Sequence, residues 1–194
     1  MVCAVFLLSF AAASTHARNL PFAVLVSANA EWKAVKPLFA GATMRQSPCG
    51  EFFFANIERE RVLFFHGGWG KVAAAGSAQY VIDRFRPARL INLGTCAGVE
   101  GCVKLFDVVA PEKVVICDIA EAMGDSAEAL AHYTTSLTLP APAPVPVVRV
   151  TMYSADRDLT QGRGALANPP LFEANAARIM QNLVNDLPKW MAAR

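Results

Sequence analysis

Histidine is scarce in this chain, and its few copies sit apart. His16, His66 and His132 stand at no metal-ligand spacing, and Cys3, Cys49, Cys96, Cys102 and Cys117 form no CxxC pair. Zinc-type centres need such clusters, so no metal site is expected. Charge of one sign is also missing. Eighteen basic and sixteen acidic residues are spread along the chain for a net charge of +2. That balance lacks the basic stripe of a nucleic-acid binder. Beyond residue 20 no apolar run is long enough to span a membrane. A GxSxG elbow and a Ser–His–Asp order are absent, which argues against acyl-transfer hydrolysis. Val72 follows Lys71 where a Walker loop requires Ser or Thr.

What is present is apolar. With 54% hydrophobic residues, a mean hydropathy of +0.32 and 194 residues, the chain suits one globular domain with a sizeable core. Its first segment stands apart: "VCAVFLLSFAAA" is too short for a bilayer span but fits the apolar region of a signal peptide, and Thr15 and Ala17 stand at cleavage-site spacing. No Lys or Arg precedes it. The run reads either as a leader over residues 1–17, ahead of a single domain over 18–194, or as a buried N-terminal segment. The first reading places the protein outside the cytoplasm and leaves four cysteines, which permits disulfides without requiring them. The second leaves it cytoplasmic.

From residue 21 the pattern alternates. "PFAVLVSA" reads as a buried strand feeding a helix in "NAEWKAVKPLF", where Pro37 interrupts late. "EFFFANIERERVLFFHGG" reads as a hairpin, and "KVAAAGSAQYVIDRF" as an amphipathic helix stopped by Pro87. "ARLINLG" is the next strand, and "KLFDVVAPEKVVICD" gives two short β pieces around Pro111. A weakly helical stretch, "IAEAMGDSAEALAHY", and a proline-spaced approach to a further strand, "LPAPAPVPVVRV", come next. The closing helix carries Leu171, Ala174, Ile179, Leu183 and Leu187 as its apolar stripe. This order predicts an α/β fold with a mixed sheet.

Two stretches carry chemistry. "RLINLGTCAGVEG" runs from a strand into small residues, the open shelf that ligands of α/β sheets occupy beyond strand ends. Gly68-x-Gly70-x-x-Ala73 loosely matches a dinucleotide fingerprint at a strand-to-helix turn, yet the acidic residue wanted about 20 positions on is missing. An oxidoreductase reading rests on that turn alone, and tight packing explains it as well. Glu31 stands at a helix start, where a carboxylate either favours the helix dipole or faces a ligand. Asp118 and Asp156 end apolar runs and read as turn residues. His66 is a lone imidazole at a strand end.

Taken together, "SANAE", "GGWGKVAAAGSAQYVIDRFRPARLINLGTCAGVEGCVKLFDVV" and "YSADRD" resemble, in order and spacing, the purine nucleoside phosphorylase and 5'-methylthioadenosine/S-adenosylhomocysteine nucleosidase superfamily. The resemblance covers residues 21 to about 160, and the last helix is similar too. It implies a three-layer α/β sandwich around a mixed, partly barrel-like sheet, incomplete near the C-terminus. It further implies cleavage of the N-glycosidic bond of purine nucleosides without metal or organic cofactor. In the nucleosidase branch a glutamate placed as Glu31 positions the attacking water. Thr95, Cys96, Ala97 and Gly98 then fall on the shelf that lines base and ribose. Hydrolysis is favoured over phosphorolysis, since no arginine cluster for phosphate accompanies Glu31. Relatives commonly dimerise, which makes a homodimer an expectation of the same kind.

The chain also departs from the pattern. After "SADRDLTQG" the family continues through a Met-Glu motif, whose glutamate holds the ribose hydroxyls, and a buried strand ending in Ser-Asp, whose aspartate protonates the purine. Here Gln161 and Gly162 pass through "RGALANPP" into the final helix. Phe106 stands where a glycine commonly precedes the aspartate. The resemblance therefore implies an impaired nucleosidase, or a catalytically silent relative that binds nucleosides or a partner chain.

Overall fold

The computed structural model describes residues 2–9, 20–119, 126–156 and 168–193. In chain order the elements are β1 (Val2–Ser9), β2 (Phe22–Val26), α1 (Asn29–Val35), a 3-10 turn (Lys36–Phe39), β3 (Arg45–Ser47), β4 (Gly50–Ile57) and β5 (Glu60–His66). They continue with α2 (Lys71–Phe85), β6 (Arg89–Cys96), β7 (Val108–Ile116), α3 (Ser126–His132), β8 (Thr134–Ser136), β9 (Val148–Ser154) and α4 (Pro169–Ala192). The strands form one sheet in the order β3-β4-β5-β2-β6-β1-β7-β8, with β9 also paired to β7. Strand β2 runs parallel to both β5 and β6, β4 and β5 form the expected hairpin, and β1 lies antiparallel to β6 but parallel to β7.

Period-2 alternation along the central strands fills both faces of the sheet. On one face Phe22, Val24, Val26, Phe64, Ile91 and Leu93 pack under α1 and α4, joined by Trp32, Ile179, Met180, Leu183 and Trp190. On the other, Ala23, Leu25, Leu63, Phe65 and Leu90 meet Val81 of α2 together with Tyr80 and Phe85. Helix, sheet and helix are thus three layers, and the central strand β2 is apolar throughout because both its faces are covered. Phe64 is fully buried and stacks on Phe53 with centroids 5.1 Å apart. Truncating such a ring to Ala costs about 3–5 kcal/mol.

Local chemistry ends the helices where the sequence predicts. Pro37 has no N–H and its ring excludes the preceding carbonyl, so α1 tightens into the 3-10 turn. Arg86 closes α2 in the left-handed region at φ 46°, and Pro87 prevents its continuation. At the far end of α4 the Arg89 guanidinium donates to the Met191 and Ala193 carbonyls, placing a cation at the negative end of the helix dipole.

Two expectations are corrected. The stretch around Pro111 is one strand, β7, because the proline falls at a register irregularity between Pro111 and Lys113 where a ladder hydrogen bond is not needed. The α4 stripe is rotated and shifted. Leu171 and Ala174 are exposed, while Ala176, Met180, Trp190 and Met191 join Ile179, Leu183 and Leu187 in the core. Helix α4 also runs through Pro188, which forfeits one intrahelical hydrogen bond. Of the weakly helical stretch, residues 120–125 lie outside the described residues, and α3 covers its later part.

Candidate active site

Glu31 is built into a corner that few carboxylates occupy. It sits in the first turn of α1, immediately after β2, and is only 4% exposed. Its Oε1 accepts from the Thr95 amide at 2.6 Å and from the Thr95 hydroxyl at 2.7 Å. Its Oε2 accepts from the Ala28 amide at 3.2 Å, which satisfies one orphan N–H at the helix start. Glu31 thus supports its own helix start and binds the end of the shelf strand through Thr95. Burial pushes its carboxyl above the ordinary range, and the bonds from Thr95 and Ala28 pull back against that rise.

The small residues of the shelf now have a cause. A Cβ on Gly94 would stand 3.3 Å from both Glu31 oxygens, so the glycine makes room for the carboxylate. Thr95 follows at the end of β6 and grips Glu31. Cys96 is half-buried, with its thiol pushed up to about 11 by burial, so it stays neutral and is no nucleophile near pH 7. Ala97 and Gly98, beyond the end of the strand, are exposed. The structure thus brings Glu31 and Thr95 into contact, while Cys96, Ala97 and Gly98 extend the same edge outward.

Beside this corner the turn after β5 is held from within. The Lys71 amide, first of α2, donates to Asp156 Oδ1 at 2.8 Å. The Lys71 ammonium lies 2.5 Å from Asp118 Oδ1 and 3.5 Å from Asp156 Oδ2, and the Asp156 amide donates to Asp118 Oδ2 at 2.8 Å. Asp118 and Asp156, read from sequence as turn residues, are therefore the anionic partners of Lys71. Hydrogen bonding to Lys71 holds the Asp118 carboxyl below its usual value and raises the Lys71 ammonium. The helix start that a dinucleotide pyrophosphate would use is taken by a carboxylate of the chain itself. The Gly67 amide donates to the Val26 carbonyl at 3.0 Å, tying this turn to the end of β2, just ahead of the helix that carries Glu31.

Two further observations concern neighbours of the site. His66 stacks flat on Trp32, centroids 5.4 Å apart and planes within 6°. Burial lowers its pKa, and its Nε2 is buried without a partner among the described residues. It stays neutral as an aromatic wall at neutral pH. Phe106 has φ 73°, the left-handed region that bulky side chains avoid. The Arg178 guanidinium lies 4.0 Å over the Phe106 ring.

The 5'-methylthioadenosine/S-adenosylhomocysteine nucleosidase of Marinomonas sp. (strain MWYL1) is 29% identical over 126 residues, 62% of this chain and 54% of that protein. The enzyme of the same name from Psychromonas ingrahamii is 30% identical over 69 residues, 36% of this chain and 30% of that protein. The chain thus spans about half the length, or less, of these curated relatives. Among solved structures, the Neisseria meningitidis nucleosidase in complex with methylthio-immucillin-A superimposes with TM-score 0.57 at 18% identity, covering 84% of this chain and 81% of that one. The futalosine hydrolase of Helicobacter pylori gives 0.59 at 14% identity, covering 84% and 78%. These likenesses establish the three-layer nucleosidase-like fold. The family model described as the phosphorylase superfamily matches residues 16–178, the greater part of the chain, and the protein belongs to that superfamily.

Proposed function

We propose that this protein binds purine nucleosides of the methylthioadenosine type on the shelf after β6 and hydrolyses their N-glycosidic bond slowly. The observation that carries the reading is Glu31: a buried carboxylate with raised pKa, held by Thr95, at the end of the strand pair where the fold places ligands. Both lone pairs of Oε1 are used by Thr95, whereas Oε2 accepts one bond among the described residues and keeps acceptor capacity for a water proton. A water so oriented attacks the anomeric carbon as the bond to the base breaks and positive charge builds on the ribose. The carboxylate stabilises that charge and takes the water's proton as the new C–O bond forms.

Departure of the purine requires a second proton, delivered to the base. The family's Ser-Asp strand and Met-Glu segment have no counterpart between Gly162 and Phe172, so the chain's own residues supply neither the acid nor the ribose grip that the relatives use. Loss of a general acid costs about 10²- to 10⁴-fold. Binding is expected to survive better than turnover, since backbone and small residues furnish much of the shelf.

Calorimetry with 5'-methylthioadenosine and adenine tests the binding half. Ala97→Leu should weaken both by placing a branched side chain in the base position. Equal affinity in parent and variant, or none in the parent, would show that the shelf is a packed turn only. Binding in the parent without adenine release, even over long incubation, would assign the chain to the silent relatives.

A further inference from the structure

We infer that residues 2–9 are a working strand of the folded protein, the strap that joins two otherwise separate part-sheets and backs the strand on which the site is built. The pairing register carries this. Strand β1 covers β6 from end to end, from Val2 opposite Cys96 to Ser9 opposite Arg89. On its other edge Cys3 and Ala4 pair with Val108 and Val109 at the start of β7. Among the described residues β6 has only β2 as its other strand partner, and no other ladder ties β7, β8 and β9 to the rest.

Removal of β1 would therefore do two things. It would expose the whole outer edge of β6 as a row of unpaired backbone groups in the middle of the molecule. It would also leave the β7–β9 group attached through no strand pairing. The consequence reaches the site, because Cys3 lies opposite Thr95, and Thr95 supplies two of the three bonds that hold Glu31. Helix α4 packs on β1 and β6 alike, so the strap also sits beneath the main helix layer.

The composition of the segment fits this use. The run "VCAVFLLS" is apolar up to Ser9, a composition that suits a strand within a sheet. The same run reads as the apolar region of an export leader, so composition alone does not separate the two readings. A segment pinned between β6 and β7 in the folded state cannot at the same time have been cut away behind Ala17.

Hydrogen–deuterium exchange on the full chain decides the matter, read at the amides of residues 89–96. The account expects slow exchange there in the parent. Val5→Pro and Phe6→Pro, adjacent positions on opposite edges of β1, should each speed it by about tenfold or more, and Ala13→Pro, beyond the strand, should not. A second form keeps the test independent of whether the proline variants fold. A recognition sequence for a site-specific protease is placed between residues 10 and 19 and cut after folding. Residues 2–9 should then remain with the body on gel filtration and leave only in denaturant. Fast exchange at 89–96 in the parent, indifference to both prolines, or immediate loss of the cut segment with 89–96 still protected would overturn the inference. So would recovery of a folded chain that begins at Arg18 with 89–96 protected.

Discussion

Thr95→Val isolates the hydroxyl that donates to Glu31 Oε1 at 2.7 Å while keeping size, β-branching and the Thr95 amide bond. A hydrogen bond to a charged group contributes about 1.5–3 kcal/mol, so its loss withdraws that much from the ionised form and should raise the Glu31 pKa further. The direction follows from chemistry: the hydroxyl donates to the ionised form, and without it the proton is bound more tightly. Burial already raises this carboxyl, and the loss of the donor adds to that rise in the same direction. A carbon-13 titration of Glu31, or the acid limb of the pH–rate profile, should move to higher pH in Thr95→Val and stay in place in Thr95→Ser, which keeps the donor. Folding stability should follow the same sign. A carboxyl whose folded pKa exceeds its unfolded value favours the fold below the ordinary carboxylate range, and that benefit is lost as pH rises through the raised value. The melting-temperature deficit of Thr95→Val should therefore be larger at pH 8 than at pH 4. An acid limb that stays fixed or moves to lower pH would refute the assignment of Thr95 as the group that tunes Glu31.

Other consequences are equally open to measurement. Gly94→Ala would bring a Cβ to 3.3 Å from both Glu31 oxygens, so the carboxylate must shift by a few tenths of an ångström; turnover should fall more than melting temperature, and an unchanged rate would show that Glu31 position is not critical. Asp118→Asn should weaken the clasp around Lys71. Because the Asp118 carboxyl is held below its usual value, its contribution is present above the ordinary Asp range and lost as pH falls through the lowered value. The stability gap between parent and variant should close on acidification, and a gap independent of pH would assign Asp118 a packing role.

The central layers were legible because their residues obey simple periods. Strand β2, the β4–β5 hairpin, α2 and β6 each show an apolar pattern bounded by Gly, Pro or charge, and the structure keeps all four. Strands β3 and β8 span only Arg45–Ser47 and Thr134–Ser136, too short and polar for any period to register. Pro111 suggested a break because proline usually ends a strand, whereas a register irregularity absorbs it here. The first turns of α4 looked apolar at Leu171 and Ala174, but whether a helix end reaches the sheet is decided by tertiary placement and not by its own sequence. At the site, Glu31 could be singled out only through the family pattern, since a carboxylate at a helix start is common. Its hold on Thr95 is a contact between residues 64 positions apart, invisible to local reading. The pairing of Lys71 with Asp118 and Asp156 is of the same kind. One signal existed: both aspartates end strands, where side chains meet neighbouring turns.

The central claim is that Glu31 performs the water-activating half of nucleoside cleavage in a chain that lacks the acid half. The most direct measurement is adenine release from 5'-methylthioadenosine by the purified full chain and by Glu31→Gln, set beside a full-length nucleosidase of the same family. The account predicts turnover at least about 10²-fold below that relative in the parent, from loss of the general acid, and none above background in Glu31→Gln. Turnover equal to the relative's would contradict it and point to Asp156 or Asp158 as the working acid, and a residual rate that Glu31→Gln leaves intact would contradict the role given to Glu31.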